Sequence, residues 1–231
     1  MANNRLQTGT SKGQRIAIWA ILILTVGSTI ALYAASFLQQ KNERADTQKY
    51  QEAIAKYQAD YKKYTAELEA QAKELSAKYY DSFKDYEKYP SAFNAASVNS
   101  KTDVEKNDLK VGDGAEITDE TEYSAYYIGW KSDGTVFDGS FENGALKIPF
   151  TITAASSMIE GWSEGVKGMK IGGIREISIP SAKAYGEAGQ PNSQDSSKSI
   201  GANEPLKFVV FAIPKIEEIP QPDPASYDLG V

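Results

Sequence analysis

MIEGWSEGVKGMKIGGIREISIPSAKAYG, residues 158–186, changes its period partway along, and that change decides the fold class. Ile159, Trp162 and Val166 recur at steps of three and four, so they share one face of a helix. Ser157 and Glu160 form a capping-box pattern in front of that face, which predicts a helix from Met158 to about Val166. Beyond Gly172-Gly173 the run Ile174–Pro180 reads as a strand, with Ile177 and Ile179 flanking a polar residue. A single short helix set among strands is the pattern of an α+β domain.

The same reading extends to either side. Tyr123–Ile128 alternates in part, Asp133-Gly134 is a hairpin signal, and Thr135-Val136-Phe137 resumes the strand pattern. Ala145–Thr153 and Leu206–Ile213 complete an expected antiparallel set, and the sheet is expected to wrap the helix.

Upstream the composition is different. No glycine occurs between Gly27 and Gly112 and no proline before Pro90, so a long helix-compatible stretch precedes the turn-rich domain. From about Gln40 to Tyr89 the chain is rich in Ala, Glu, Lys, Gln and Tyr. Tyr50, Ile54, Tyr57, Tyr61, Tyr64, Leu68 and Leu75 follow a heptad seam that Gln71 interrupts, and Tyr79, Phe83 and Tyr86 continue it in a shifted phase. Two readings stay open: a homodimer or partner-helix seam, or a single amphipathic helix that acts as a spacer or folds back on the domain. Pro90 ends the helical signal, and residues 90–108 read as a polar linker.

Ile16–Leu38 carries no charge, and as a helix it rises roughly 34 Å, enough to cross a bilayer core of about 30 Å. Arg5, Lys12 and Arg15 precede it without an acid, whereas Lys41, Glu43, Arg44 and Asp46 balance after it. The positive-inside tendency then places residues 1–15 in the cytoplasm and everything after Leu38 outside, in a single-pass cell-membrane arrangement. A cleaved signal peptide has a shorter apolar run and a better cleavage site than Leu32 or Tyr33 ahead of Ala34 and Ala35 allow, so a retained anchor is expected.

Two exclusions narrow the chemistry. The net charge of −6 leaves no basic stripe for nucleic acid. With no histidine and no cysteine, Ser-His-Asp and Cys-His catalysis and the usual zinc or iron–sulfur ligand sets are out of reach. What remains is carboxylates, hydroxyls, backbone groups and shape.

KVGDGAEI, YYIGWKSDGTVFDGS, the 158–186 stretch and IGANEPLKFVVFAI stand in the order and spacing of an FKBP-type peptidyl-prolyl cis/trans isomerase, and the resemblance spans 109–218. It implies a twisted antiparallel half-barrel sheet around one short helix. The membrane helix at 16–38 and the helical stalk at 39–89 precede that domain, and a Pro-rich disordered tail, 219–231, follows it. The pocket it implies has Tyr127, Phe137, Asp138, Ile159, Trp162, Tyr185 and Phe208 as catalytic positions, with Trp162 as floor and Ile159 acting through its backbone N–H. Phe150, Met158, Ala184 and Ile200 are the implied substrate-binding neighbours. The substrates implied are proline-containing polypeptides, with no cofactor and no metal.

Such a pocket needs no nucleophile. Rotation about an Xaa-Pro bond is slow because amide resonance must be broken, at a barrier of roughly 18–20 kcal/mol. The twisted amide is less dipolar than the planar one, so an apolar aromatic pocket binds it preferentially. Singly, buried aromatics are ordinary core and an aspartate is an ordinary turn cap; together, in this order, they describe a site.

Two departures from the family pattern are visible. SFENGALKIP supplies only Glu142 and Asn143 where many members carry a basic partner for the aspartate. GEAGQPNSQDSSKSIGANEPL is longer than the usual loop and carries Gly201-Ala202 in place of Pro-Pro, and its polar content predicts mobility at the pocket rim. The expected activity is isomerisation in aid of folding of extracytoplasmic proteins. The alternative is a non-catalytic, membrane-tethered peptide-binding or chaperone module using the same pocket.

Overall fold

The structure, a computed structural model, describes residues 43–153, 156 and 158–227. The segment 1–15, the apolar run 16–38 and Ser157 lie outside the described residues. Among those described, no helix is long and apolar enough to cross a membrane. The chain divides into two compact units: one is residues 62–221, and the other takes in the chain up to Tyr61 together with the segment from Pro222 onward.

Helix α1 runs Glu43–Phe83, 41 residues with no glycine or proline to interrupt it. A 3-10 turn, Lys84–Lys88, closes it, and Pro90 then removes the donor a further turn requires. Helix α2, Ala95–Asn99, begins where the Asn94 side chain accepts from the Ser97 N–H at 2.9 Å.

Within the 62–221 unit, eight strands follow: β1 (Glu105–Lys110), β2 (Tyr123–Lys131), β3 (Val136–Gly139), β4 (Phe141–Glu142), β5 (Ala145–Leu146), β6 (Phe150–Ile152), β7 (Ile174–Ile179) and β8 (Leu206–Pro214). The main sheet is antiparallel in the order β1-β7-β8-β2-β3, and β6 also pairs with β2. β2 and β8 form its longest ladder, from Tyr123 opposite Pro214 to Lys131 opposite Leu206. Helix α3, Glu160–Val166, packs on one face of the sheet. The result is an α+β architecture of antiparallel sheet and one short helix.

The pleat of β2 explains how the site is placed. Successive side chains leave opposite faces, so Tyr123, Ala125 and Tyr127 join the core around Trp162, while Tyr126, Ile128 and Trp130 join a second core around Phe83. β8 divides in the same way, with Phe208 on the first side and Phe211 on the second. α3 approaches closely because it presents glycine to β7. A Cβ on Gly161 falls 2.2 Å from Ile179 Cγ2, and one on Gly165 falls 2.9 Å from Ile177 Cδ1. Arg175 then ties the end of α3 down. It donates Nη1 to Gly165 O (3.1 Å) and Lys167 O (3.2 Å), and its Nε and Nη2 engage Asp108 of β1.

Several expectations are revised. The helix near Trp162 starts at Glu160, with Ile159 in extended backbone as its N-cap and no side-chain cap bond, so Met158 lies outside it. Ala145–Thr153 is two strands, β5 and β6, because Pro149 stands between them and lacks an amide donor. The linker at 90–108 contains α2 and most of β1. β1 reads Glu-Lys-Asn-Asp-Leu-Lys and is almost wholly exposed, an edge strand without the alternation that would announce it.

The stalk is not a free spacer along its whole length. Past the break at Gln71, Ser76 and Phe83 are buried; Phe83 stacks on Phe141 and meets Phe211 at a tilt, and Tyr79 meets Tyr126 at a tilt and Phe211 edge-on, all in the second core. Ser76 Oγ accepts from the Leu146 N–H at 2.9 Å. The shifted phase turns the aromatic stripe toward the sheet, and full burial of one such ring is worth about 1.5–3 kcal/mol.

In the other unit, the described part of the tail contains a 3-10 turn, Pro224–Tyr227, while residues 228–231 of the expected disordered run lie outside the described residues. The Tyr227 hydroxyl donates to Asp60 Oδ2 at 2.7 Å, and its ring meets Tyr57 edge-on at 5.4 Å.

Candidate active site

Five aromatic rings converge on the α3 side of the sheet. Trp162, carried on α3, is 2% exposed and lies at the centre. Phe150 stands 5.4 Å from its ring, Phe208 5.4 Å and Tyr127 5.6 Å, all at steep interplanar angles. Phe137 reaches the group through Phe208, edge-to-face at 5.6 Å. Such edge-to-face pairs place the positive rim of one ring on the negative face of the next. The indole N–H is not wasted in the interior, since Trp162 Nε1 donates to the Tyr123 hydroxyl at 3.2 Å.

Around this buried floor the remaining side chains stay partly exposed. Tyr127, Phe137, Phe150, Met158, Ile159, Ala184 and Tyr185 are each half-buried and packed against the same core, and Ile200 is buried beside them. Partly exposed apolar side chains gathered around a buried indole are the kind of surface on which a small hydrophobic ring can bind. All the apolar residues singled out in the sequence are therefore gathered in one place, including Phe150 from β6.

Asp138 is the polar member. Its Oδ2 accepts from the Tyr127 hydroxyl and its Oδ1 from the Gly139 N–H. A phenol and a backbone amide thus fix the carboxylate that lacks a basic partner in the SFENGALKIP stretch. Burial, and then the neighbouring Asp138 carboxylate, push the Tyr127 phenol far above the usual tyrosine range. Tyr185 is raised for the same two reasons, burial first. Both phenols are therefore neutral donors across the physiological range. Ile159, the N-cap of α3, accepts at its carbonyl from the Trp162 N–H at 3.0 Å.

Sequence reading missed three supporting residues. Tyr123 holds the indole, and Ser140 Oγ accepts from the Tyr127 N–H at 2.9 Å. Gly129 makes room for the rings: a Cβ there would lie 2.6 Å from the Phe208 ring and 2.9 Å from that of Phe137. Only the glycine carried a local signal, as a gap in an otherwise bulky strand.

The long loop after Tyr185 carries a set of hydrogen bonds of its own. Gln190 and Ile200 exchange backbone bonds, the Asn192 side chain accepts from Gln194 and Asp195, and Asp195 caps a 3-10 turn at Ser196–Lys198. Lys131 Nζ, from the end of β2, donates to Ser197 O at 2.8 Å. The Ser, Asp and Asn side chains that suggested mobility here satisfy turn backbones, as such side chains do well.

An antiparallel sheet packed against the short helix α3, with aromatic rings around a buried indole and a carboxylate beside them, is the make-up of a domain suited to binding an apolar ring. A family model described as FKBP-type peptidyl-prolyl cis-trans isomerase matches residues 114–213. An FK506-binding protein of Neisseria meningitidis serogroup A is 42% identical over 83 residues, covering 36% of this chain and 73% of its own. The peptidyl-prolyl cis-trans isomerase Mip of Coxiella burnetii is 40% identical over 105 residues, 46% of this chain and 41% of its own length. The crystal structure of AtFKBP13 aligns with a TM-score of 0.42 at 31% identity, covering 49% of this chain and 93% of that one. The chain belongs to the FKBP-type family and is a peptidyl-prolyl cis-trans isomerase, with proline-containing peptides as substrates.

Proposed function

We propose that this isomerase is held at the cell membrane by residues 16–38, with its N-terminus cytoplasmic, and that it assists the folding of extracytoplasmic proteins limited by Xaa-Pro rotation. The uncharged run and its one-sided basic flank support the placement. The single observation that carries the mechanism is the set of partly buried rings packed around the buried indole of Trp162.

In this reading the prolyl ring seats on the indole of Trp162, between Tyr127, Phe150 and Phe208. Phe137, Met158, Ala184 and Ile200 complete the wall. The planar amide loses its hydration on entry, and the twisted amide, with less charge separation, loses less; that difference is the catalysis. The Ile159 N–H and the Tyr185 hydroxyl orient the flanking carbonyls. Asp138, held by Tyr127, is the polar group at the edge of the pocket. Each tenfold in rate requires about 1.4 kcal/mol of preference for the twisted state.

A protease-coupled assay on an Xaa-Pro peptide, with the full chain in detergent, tests the chemistry. Acceleration over the thermal rate that disappears in Trp162→Ala, with the sheet still folded by circular dichroism, is expected. Equal rates in the two proteins would remove the indole from the mechanism. For placement, the chain has no cysteine of its own, so one introduced at Ser132 is a clean probe. A membrane-impermeant maleimide should label it in intact cells, and labelling only after lysis would overturn the orientation.

A further inference from the structure

Tyr185 and Ile200, two of the side chains packed with the Trp162 core, bracket the long loop that runs between them. Binding residues at the ends of a loop are placed only as well as the scaffold holds that loop. Within the loop the two limbs are joined. Gln190 and Ile200 exchange both backbone bonds, at 2.9 and 2.8 Å, and the Gly189 N–H donates to Tyr185 O at 3.1 Å. Where Ile200 is fixed, Tyr185 is fixed with it.

The anchor lies outside the loop, on β2. Lys131 is the last residue of that strand, paired with Leu206 of β8, and its backbone closes the hairpin turn. Its N–H donates to Thr135 O at 2.9 Å, and its carbonyl accepts from the Gly134 N–H at 2.9 Å. From this base the partly buried side chain donates Nζ to Ser197 O at 2.8 Å and to Ser199 O at 3.3 Å, the second being the carbonyl next to Ile200. Bonds from a charged donor are stronger than neutral ones. The neighbouring residue repeats the grip: the Ser132 N–H donates to Glu204 Oε1, on the returning limb, at 2.8 Å.

None of these bonds between the turn and the loop belongs to the sheet ladders. What they fix is the place of Ile200 relative to β2, the strand that carries Tyr127. Were Ile200 free to leave, each binding event would first have to gather it, and a ligand binds more weakly in proportion to the fraction of protein that is ready for it. Such a clamp acts on binding and leaves the bound step alone.

We propose that Lys131 is a positioning residue of the isomerase site, which holds the loop through Ser197 and Ser199 so that Ile200 and Tyr185 are in place before a prolyl peptide arrives. The inference rests on the pocket assigned above and adds to it a residue that touches no substrate.

The full chain in detergent carries the test. Lys131→Met keeps the reach of the side chain and removes the donor. With the Xaa-Pro peptide varied across KM, KM is expected to rise about fivefold, as a ready fraction of about one fifth requires, while kcat stays within about twofold. Lys131→Arg still donates to carbonyls and is expected to recover most of the loss. Hydrogen exchange read by mass spectrometry should quicken over residues 186–200 in Lys131→Met and stay as in the parent over β8, which shows that the sheet is intact. Unchanged exchange over the loop overturns the clamp. Faster exchange with KM unchanged, a fall in kcat alone, or an arginine variant no better than the methionine one overturns its role in the site. The pocket itself is tested separately by Trp162→Ala, so the two readings fail on different measurements.

Discussion

Adjacent residues of β2 have opposite fates, and the contrast explains how one sheet supports both stability and chemistry. Tyr126 points to the face that α1 covers, where it is fully buried and packs with Tyr79, Phe83 and Phe211. Tyr127 points to the face that α3 only partly covers, and it remains half-exposed beside Trp162, Phe150 and Phe208. The two faces are built from the same kinds of aromatic residue. One is closed by a helix of the same chain, and the other leaves its rings partly exposed.

The sharpest way to break this comparison is Phe83→Ala. It removes a side chain with no exposed surface from the closed face and is expected to cost about 3–5 kcal/mol in urea unfolding. The folded fraction should keep its kcat/KM within about twofold, the equivalent of less than 0.5 kcal/mol. A large loss of kcat/KM in protein still folded would show that the closed face reaches into the site.

Gly129→Ala sharpens it from the open side. The new methyl group meets Phe208 and Phe137 at under 3 Å, so the rings must move. A fall of on the order of tenfold in kcat/KM is expected, with a stability change of at most about 1–3 kcal/mol. Tyr127→Phe is milder. It removes the hydrogen bond to Asp138 while keeping the ring, and should lower kcat/KM by about fivefold, equivalent to about 1 kcal/mol, with little shift in Tm.

The smallest effect near neutral pH is ionisation. Burial raises the Tyr123 phenol to about 12, above the ordinary value of about 10, and raises Tyr126 and Tyr127 as well. Each is an acid whose neutral form is favoured by folding. The stability they contribute is fully present below pH ~10 and is lost as pH rises through the folded values. Stability by chemical denaturation should be flat between about pH 7 and 9 and fall above about 10, in step with phenolate absorbance. Phenolate absorbance that appears in full near pH 10 without unfolding would contradict the burial of these groups.

Period changes, turn chemistry and glycine spacing from Gly112 to Ile213 were enough to read the α+β class, because they are local properties of a chain; the candidate pocket residues came only from the resemblance of the motif order to a known family. The shifted phase of Tyr79, Phe83 and Tyr86 was equally visible. Its destination was not, since a heptad-like stripe looks alike whether it meets another helix or the back of a sheet. β1 was hidden for a related reason: an exposed edge strand needs no hydrophobic pattern of its own and takes its conformation from Ile174–Ser178 beside it. Tyr123 and Ser140 became supports of the site only through pairings across the sheet.

Sequence alone determined which groups could do the chemistry: without histidine or cysteine, a pocket acting by shape and desolvation was the consistent choice. Tertiary structure decided which aromatic residues became pocket and which became foundation. The pleat sends neighbours to opposite faces, and only the packing of α1 and α3 determines which face is closed.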